Sequence, residues 1–592
     1  MKYNIFILLF TLLAATSCDD YLTREPMDKV TDIPEFWNSE DNINSVALGL
    51  YDVYFPGYRT GWSRADMFAE TNVADWTDNN TQTAATFFTK VAPATDANHW
   101  YFKYVRRINI LIDRVGESAL PEEARNHWLG VGRFMRAMEY AKLVSKFGDV
   151  PYYDQALENT DVEQLYRARD SREFVMDKVK EDLDFAVQYV RENDRVDGLF
   201  INKSVVLAFA SRLMLFEGTW QKYNDKNNEK AVLYLKAAKD YASTLMEEGK
   251  YSLADSWKSL TTSLDLGNNP EIIIYRSYVE GVVMHSLMSF QNTEIQNDSP
   301  SKSLLDAYLT TNGLPIRQAN NPLFSETKDQ WFFDMIADRD PRLLETIDPS
   351  GLRLPGVNAI WASSGVAAHR YYNPDIAELP AGTSATNTTD APVMKYNEVL
   401  MNYIEAAVEL ADLGAYSLTQ ADFDKSFNVI RARKSTNMPA VTLSGSDLMV
   451  NNVKIEDPER DADVSSIIWE VRRERRVEMA YDGTRFNDIR RWGKLEYADQ
   501  KLNEDLNKGV WLDKARYITW YNETMNPTNP LTMENLSKIN LDRAGDKGYI
   551  VPIADPTKLR EMGEKDYLYP IPVDQITLYE AQGKKLNQNP GW

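Results

Sequence analysis

The chain has 592 residues, 43% hydrophobic and 26% charged, which is enough apolar side chain to bury a large core and excludes extensive disorder. Its formal net charge of −22 excludes nucleic acid as a partner, because phosphate binding needs a positive field. A single cysteine excludes an internal disulfide or a thiolate zinc cluster, and the four histidines (His99, His127, His285, His369) include no i, i+4 pair of the zincin kind.

Residues 1–17 read as a secretory signal: Lys2, an apolar run over 5–13, then small residues up to Ser17. The run is shorter than the ~20 apolar residues that span a bilayer. The lone cysteine, Cys18, follows Ala15, Thr16 and Ser17 directly, where a bacterial lipoprotein signal puts its acylated cysteine. Two or three acyl chains, each buried methylene contributing ~0.8 kcal/mol, would hold the body, residues 18–592, on a membrane.

From residue 98 the dominant period is helical. Trp100, Tyr104, Val105, Ile108, Leu111, Ile112 and Val115 share one face. Pro121 suits a first helical turn, Glu122 and Glu123 suit the positive end of the dipole, and Gly148 suits a stop after Phe147. These two helices form an αα-hairpin. Further pairs are expected at 172–190 with 202–216 and at 395–413 with 420–433, and another helix at 229–246. Pairs of about 34–45 residues predict an all-α, tetratricopeptide-like scaffold. Its helical pairs cover about 98–250 and 395–492. Loop-rich stretches cover about 55–97 and 251–392, and an irregular, aromatic segment covers about 493–592.

No cofactor, metal or catalytic site is expected. Gly130-Val131-Gly132 lies inside a helical pattern, and no G-x-S-x-G elbow exists. With 88 acidic residues, paired carboxylates are unavoidable and do not mark a glycosidase. The arginine-rich run over 470–492 reads as an ion-pair network, with Glu470–Arg473 and Arg475–Glu478 one helical turn apart.

The remaining chemistry is aromatic. A sugar ring has an apolar C–H face that a flat side chain complements, and partial cover of a Trp contributes roughly 1–3 kcal/mol. Neighbouring Asn, Asp or Arg can pair with hydroxyls. Two loop clusters have this composition: Trp62, Arg64, Asp66, Asn72, Asp75 and Trp76, and Trp361, Arg370, Tyr371 and Tyr372. They form one ligand site only if the fold joins them.

Several segments, in order, resemble the SusD/RagB family of nutrient-uptake lipoproteins. Ala124-Arg125, Arg133-Phe134-Met135-Arg136-Ala137 and Lys146-Phe147-Gly148-Asp149-Val150-Pro151 resemble its "GEARFLRA…FGDVP" helix. Arg339-Asp340-Pro341-Arg342 resembles "RDPR", Lys395-Tyr396-Asn397-Glu398-Val399-Leu400 resembles "RYAEVLL", and Ile430-Arg431-Ala432-Arg433 resembles "IRAR". Arg473-Glu474-Arg475-Arg476, Asp482-Gly483-Thr484-Arg485-Phe486 and Arg490-Arg491-Trp492 resemble "RRERR…EG.R…RRW". Tyr569-Pro570-Ile571-Pro572 and Gln588-Asn589-Pro590-Gly591 resemble the closing "YPIP…QNPGY". Ala124 lacks the pattern's preceding Gly-Glu, Lys395 stands where the pattern has Arg, and Asp482 where it has Glu.

The resemblance implies a helical scaffold with a loop-rich ligand face, a seat on a SusC-like TonB-dependent outer-membrane transporter, and no catalysis. Asp19-Asp20 resembles the acidic surface-export signal of Bacteroidetes lipoproteins, which implies a body facing the medium. Glycan is the expected ligand. Peptide capture within the same family and a secreted all-helical glycoside hydrolase are the alternatives.

Overall fold

The computed structural model describes residues 33–62, 76–84, 91–95, 100–295, 299–324, 331–526 and 528–592. Helix α1, Glu40–Leu48, packs against α2, Lys103–Glu117, and α3, Glu122–Phe147. The buried stripe of α2 is Val105, Ile108, Leu111 and Val115, spaced three or four residues apart as one helical face requires. Pro121 is the N-cap of α3, one position before the first turn. Gly148 ends α3 with φ 72°, a conformation that costs other residues more than glycine.

Three more helices extend the layer: α4, Arg172–Tyr189, α5, Lys203–Trp220, and α6, Asn228–Glu247. Each begins on a side-chain cap, Ser171, Asn202 and Asn227 respectively, which satisfies an otherwise orphaned N–H. Consecutive helices pack side by side from α2 to α6. A Cβ on Gly218 of α5 would lie 2.9 Å from the Leu235 backbone nitrogen, so glycine is what lets α5 and α6 approach this closely. Helix α6 then packs against α7, Tyr396–Asp412, which arrives from far along the chain.

The loop-rich stretch between α6 and α7 is closed at its base by a ribbon. The apolar run at 272–275 is strand β1, Ile272–Arg276, paired antiparallel with β2, Ala391–Lys395, which leads straight into α7. Both ends of residues 277–390 are thereby held at one place. The helix expected over 420–433 is broken into Gln420–Asp424 and Phe427–Arg431. Ser426, between them, leaves helical geometry at φ −138° and ψ −83° and returns its hydroxyl to the Asp422 carbonyl at 2.5 Å. Small ribbons complete the C-terminal part: β3, Thr442–Ser444, with β4, Asp447–Val450, and β5, Val453–Lys454; and β6, Trp511–Asp513, with β7, Lys547–Tyr549. The chain end returns to the first hairpin, where Asn589 Nδ2 donates to the carbonyls of Phe147 and Tyr569.

The arginine-rich run forms α8, Ser466–Glu478, and α9, Arg485–Arg491, and it is interior. Glu470 and Arg473 pair at 3.2 Å as their spacing predicts. Arg475 and Glu478 do not pair with each other. Both are buried and face different elements: Arg475 reaches Asp488 at 3.0 Å, whereas Glu478 takes Arg342 at 2.8 Å and Arg433 at 2.7 Å. Arg342 also bonds Asp340 and Glu474, Arg431 bonds Glu474, and Arg433 bonds Glu271. One buried network thus ties the Arg339–Arg342 turn, the residue before β1 and the end of the Phe427–Arg431 helix to α8. Lys395 and Asp482, two of the departures from the family pattern, are the two halves of one buried ion pair.

Candidate functional site

The segment from Leu287 to Ile295 gathers the loop aromatics. It opens with a 3-10 turn, Leu287–Gln291. The Trp62 ring lies 5.5 Å from Phe290, tilted by 50°, and the Gly61 N–H donates to the Met284 carbonyl at 2.9 Å. Gln291 Oε1 accepts from the Tyr371 N–H at 2.7 Å. Met288 clusters with Ile376 and Ala377, with Tyr372 packed against them, and Ile295 clusters with Ala362 and Ala367. Asn292 Nδ2 donates to the carbonyls of Ala377 and Gly382, at 2.9 Å each, which fixes the following loop. Trp62 and the 361–372 stretch, distant in sequence, therefore meet on one short segment.

The structure sorts the expected site residues by burial. Trp62 is 56% exposed. Tyr372 and Trp361 are half-buried. Tyr372 lies flat on His369, with centroids 4.1 Å apart and planes at 3°. Burial lowers the His369 ring to about 4, against the pull of Asp348 and with help from Lys258 and Arg353, so the stack is neutral at pH 7. Arg370 and Tyr371 are corrections: both are core. The Arg370 guanidinium lies 3.5 Å from the Trp257 ring centroid and donates to the Trp257 carbonyl and Thr261 Oγ1. Tyr371 packs edge-on against Tyr58, and its hydroxyl donates to the Tyr481 carbonyl. Side chains so enclosed cannot be a ligand platform. Cys18, Arg64, Asp66, Asn72 and Asp75 lie outside the described residues.

Trp76 parts company with Trp62. Its ring meets Phe486 edge-on at 5.5 Å, and Phe486 in turn lines a groove of about 790 Å³. Tyr101, Tyr104, Phe209 and Tyr569 also line that groove, together with mixed charges such as Lys142 and Glu398. Just beyond Trp76 the chain is clamped. Arg485 forms two bonds of 2.8 Å to Asp78, and Arg476 approaches the same carboxylate at 3.1 Å. Burial raises the Asp78 carboxyl, but the two arginines overturn this and hold it at about 2.

The sequence reading missed Phe290. The signal was present: Phe290 stands beside Ser289, Gln291 and Asn292 in an irregular stretch, the same composition that marked the two expected clusters. It also missed Tyr481, whose anchoring role has no local signature. Among the described residues, no group of three or more His, Cys, Asp or Glu is placed to hold a metal ion, and no helix is long and apolar enough to cross a membrane.

The fold is a layered helical array that carries a loop-rich face of half-exposed aromatics. The chain belongs to the SusD family, whose model matches residues 231–592; a second, SusD-like model, described as starch-binding and associating with the outer membrane, matches residues 20–215. Over 198 residues the chain is 25% identical to SusD-like protein P25 of Formosa agariphila, a match covering 31% of this chain and 37% of that protein. Its fold is similar to that of a SusD-like carbohydrate binding protein from Bacteroides fragilis, with TM-score 0.63, 20% identity, and 92% of this chain and 99% of that one covered. It is also similar to a laminarin binding SusD-like protein, with TM-score 0.51, 16% identity, and 94% and 100% covered.

Proposed function

We propose that this chain is a glycan-binding lipoprotein of the outer membrane that captures oligosaccharide or polysaccharide and hands it to a SusC-like TonB-dependent transporter, without catalysis. The observation that carries the glycan reading is the convergence of Trp62, Phe290 and Tyr372 on the 287–295 segment. Half-exposed rings held by a fixed loop offer apolar faces at little entropic cost, because their backbone is already pinned by Gln291 and Asn292. The names of the relatives support the same reading, one being called carbohydrate binding and another laminarin binding. Lipid attachment at Cys18 supplies the membrane tether. Calorimetry with a panel of glycans, laminarin among them, tests the reading, and an assay for new reducing ends on the same mixtures tests for hydrolysis. Co-purification with the transporter from detergent-solubilised outer membrane tests the partner.

One observation favours the peptide alternative. The 790 Å³ groove mixes aromatic walls with both signs of charge, a lining that suits a peptide's amides and ionic side chains. Binding of tryptic peptides with no binding of any glycan would decide for it.

A further inference from the structure

A second cleft, sharing no residue with the aromatic face or the groove, lies where the loop before α5, the end of α6 and β1 meet. It holds about 180 Å³ and is lined by Asp197, Lys250, Tyr251, Asn268, Asn269 and Tyr275, with two glycines among its walls. It is less than a quarter the size of the 790 Å³ groove, a space that suits one ring rather than a chain.

Its glycines are there for Tyr275. A Cβ on Gly198 would come within 3.0 Å of the Tyr275 ring, and one on Gly267 within 3.1 Å of its hydroxyl. The Tyr275 N–H donates to the Gly198 carbonyl at 2.9 Å, so the ring's place is set by the strand. Around it stand polar groups that are not committed to the core. Asp197 and Lys250 pair at 3.1 Å with side chains 60% and 31% exposed, and such a pair is weak enough for a hydroxyl to enter. Asn268 is exposed on its turn. The Tyr251 hydroxyl approaches Ser204 and Lys250 yet is buried and completes no hydrogen bond.

We propose that this cleft binds a single neutral hexose-sized sugar. One carboxylate and one ammonium cancel, so the site selects no net charge. The carboxylate accepts from ring hydroxyls, the ammonium and amides donate to them, and the tyrosine ring covers the apolar C–H face. The inference does not depend on the aromatic-face reading.

The test uses the full chain carrying Trp62→Ala, which weakens the aromatic face and leaves the cleft whole. D-glucose, D-galactose and D-mannose are titrated by saturation-transfer NMR. At least one hexose binds, and Asp197→Ala or Asn268→Ala weakens it by about tenfold, the loss of one charge-assisted or amide hydrogen bond. Asp197 also accepts from Asn202 Nδ2, the cap of α5, so a melting curve accompanies Asp197→Ala; the exposed Asn268 keeps the test open if that variant is destabilised. No saturation transfer to any of the three sugars, or binding unchanged in both variants, overturns the proposal.

Discussion

Tyr481 donates its hydroxyl hydrogen to Asn80 Oδ1 at 2.6 Å, while its own carbonyl accepts from the Tyr371 hydroxyl. Tyr481 sits just past α8 with φ 66°, a left-handed conformation that is uncommon for a non-glycine residue. From that position it holds the stretch after Trp76 and the stretch before Tyr372 at once. Thr81 adds a second tie, its carbonyl accepting from the Ser363 hydroxyl at 3.1 Å. The buried network around α8 is thus the frame on which the loop face is mounted.

Tyr481→Phe removes the bond to Asn80 and leaves a buried amide oxygen short of a donor. We expect a stability loss of about 1–2 kcal/mol. Affinity for glycan falls as well, because the loops lose their frame. Calorimetry and a melting curve read the two effects; wild-type values in both would show that Tyr481 is dispensable.

Trp62→Ala and Trp76→Ala separate an exposed ring from a packed one. Trp62 is largely exposed, so its loss weakens glycan binding by roughly 1–3 kcal/mol and leaves the melting temperature in place. Trp76 packs on Phe486, so its loss destabilises the fold by about 2 kcal/mol. Normal glycan binding by the Trp62 variant would move the site elsewhere.

Arg342 binds Asp340, Glu474 and Glu478 in the interior. Arg342→Ala strands the buried Asp340 carboxylate and leaves Glu474 and Glu478 with only Arg431 and Arg433 as ion-pair partners; it is expected to cost about 3–5 kcal/mol, seen as a large drop in the denaturant midpoint. A drop of under 1 kcal/mol would mean that water takes the guanidinium's place.

Acid should unfold the protein through its buried carboxylates. Burial by itself pushes Glu478 and Glu405 up. Arg433 and Arg342 overturn this at Glu478, and Arg491 and Arg475 at Glu405, holding each at about 2, as Asp78 is held. Folded values below the unfolded ~4 mean stability that is present above about pH 4.5 and lost as pH falls toward 2. Glu271 opposes this. Burial raises it to about 7 despite Arg433, so its contribution is full below about pH 4.5 and is lost as pH rises from there through about 7. The melting temperature should fall steeply between pH 4.5 and 3, and the slope should be shallower in Glu478→Gln. A flat profile to pH 3 would remove these groups from the account.

On the proposed anchor, Cys18→Ala shifts the protein from the membrane fraction to the soluble fraction, because Cys18 is the single cysteine of the sequence. Retention of the variant through a high-salt wash would refute the anchor.

By itself the sequence determined the helices from α2 to α7, because an amphipathic stripe, a cap and a Gly148 stop are signals carried within a few turns of chain. It also determined that the 470–492 run is structural, since acids interleaved with arginines answer one another wherever they fold. Only the tertiary structure decided which partners those charges take: Glu478 turns to Arg342 and Arg433, not to Arg475 three residues before it, because α8 is buried on several sides and each side chain meets a different element. Only the tertiary structure, likewise, separated Arg370 and Tyr371 from Tyr372. A loop has no period, so whether a ring faces water or the core depends on contacts with Trp257, Gln291 and Tyr481, each at least 80 residues away in the chain.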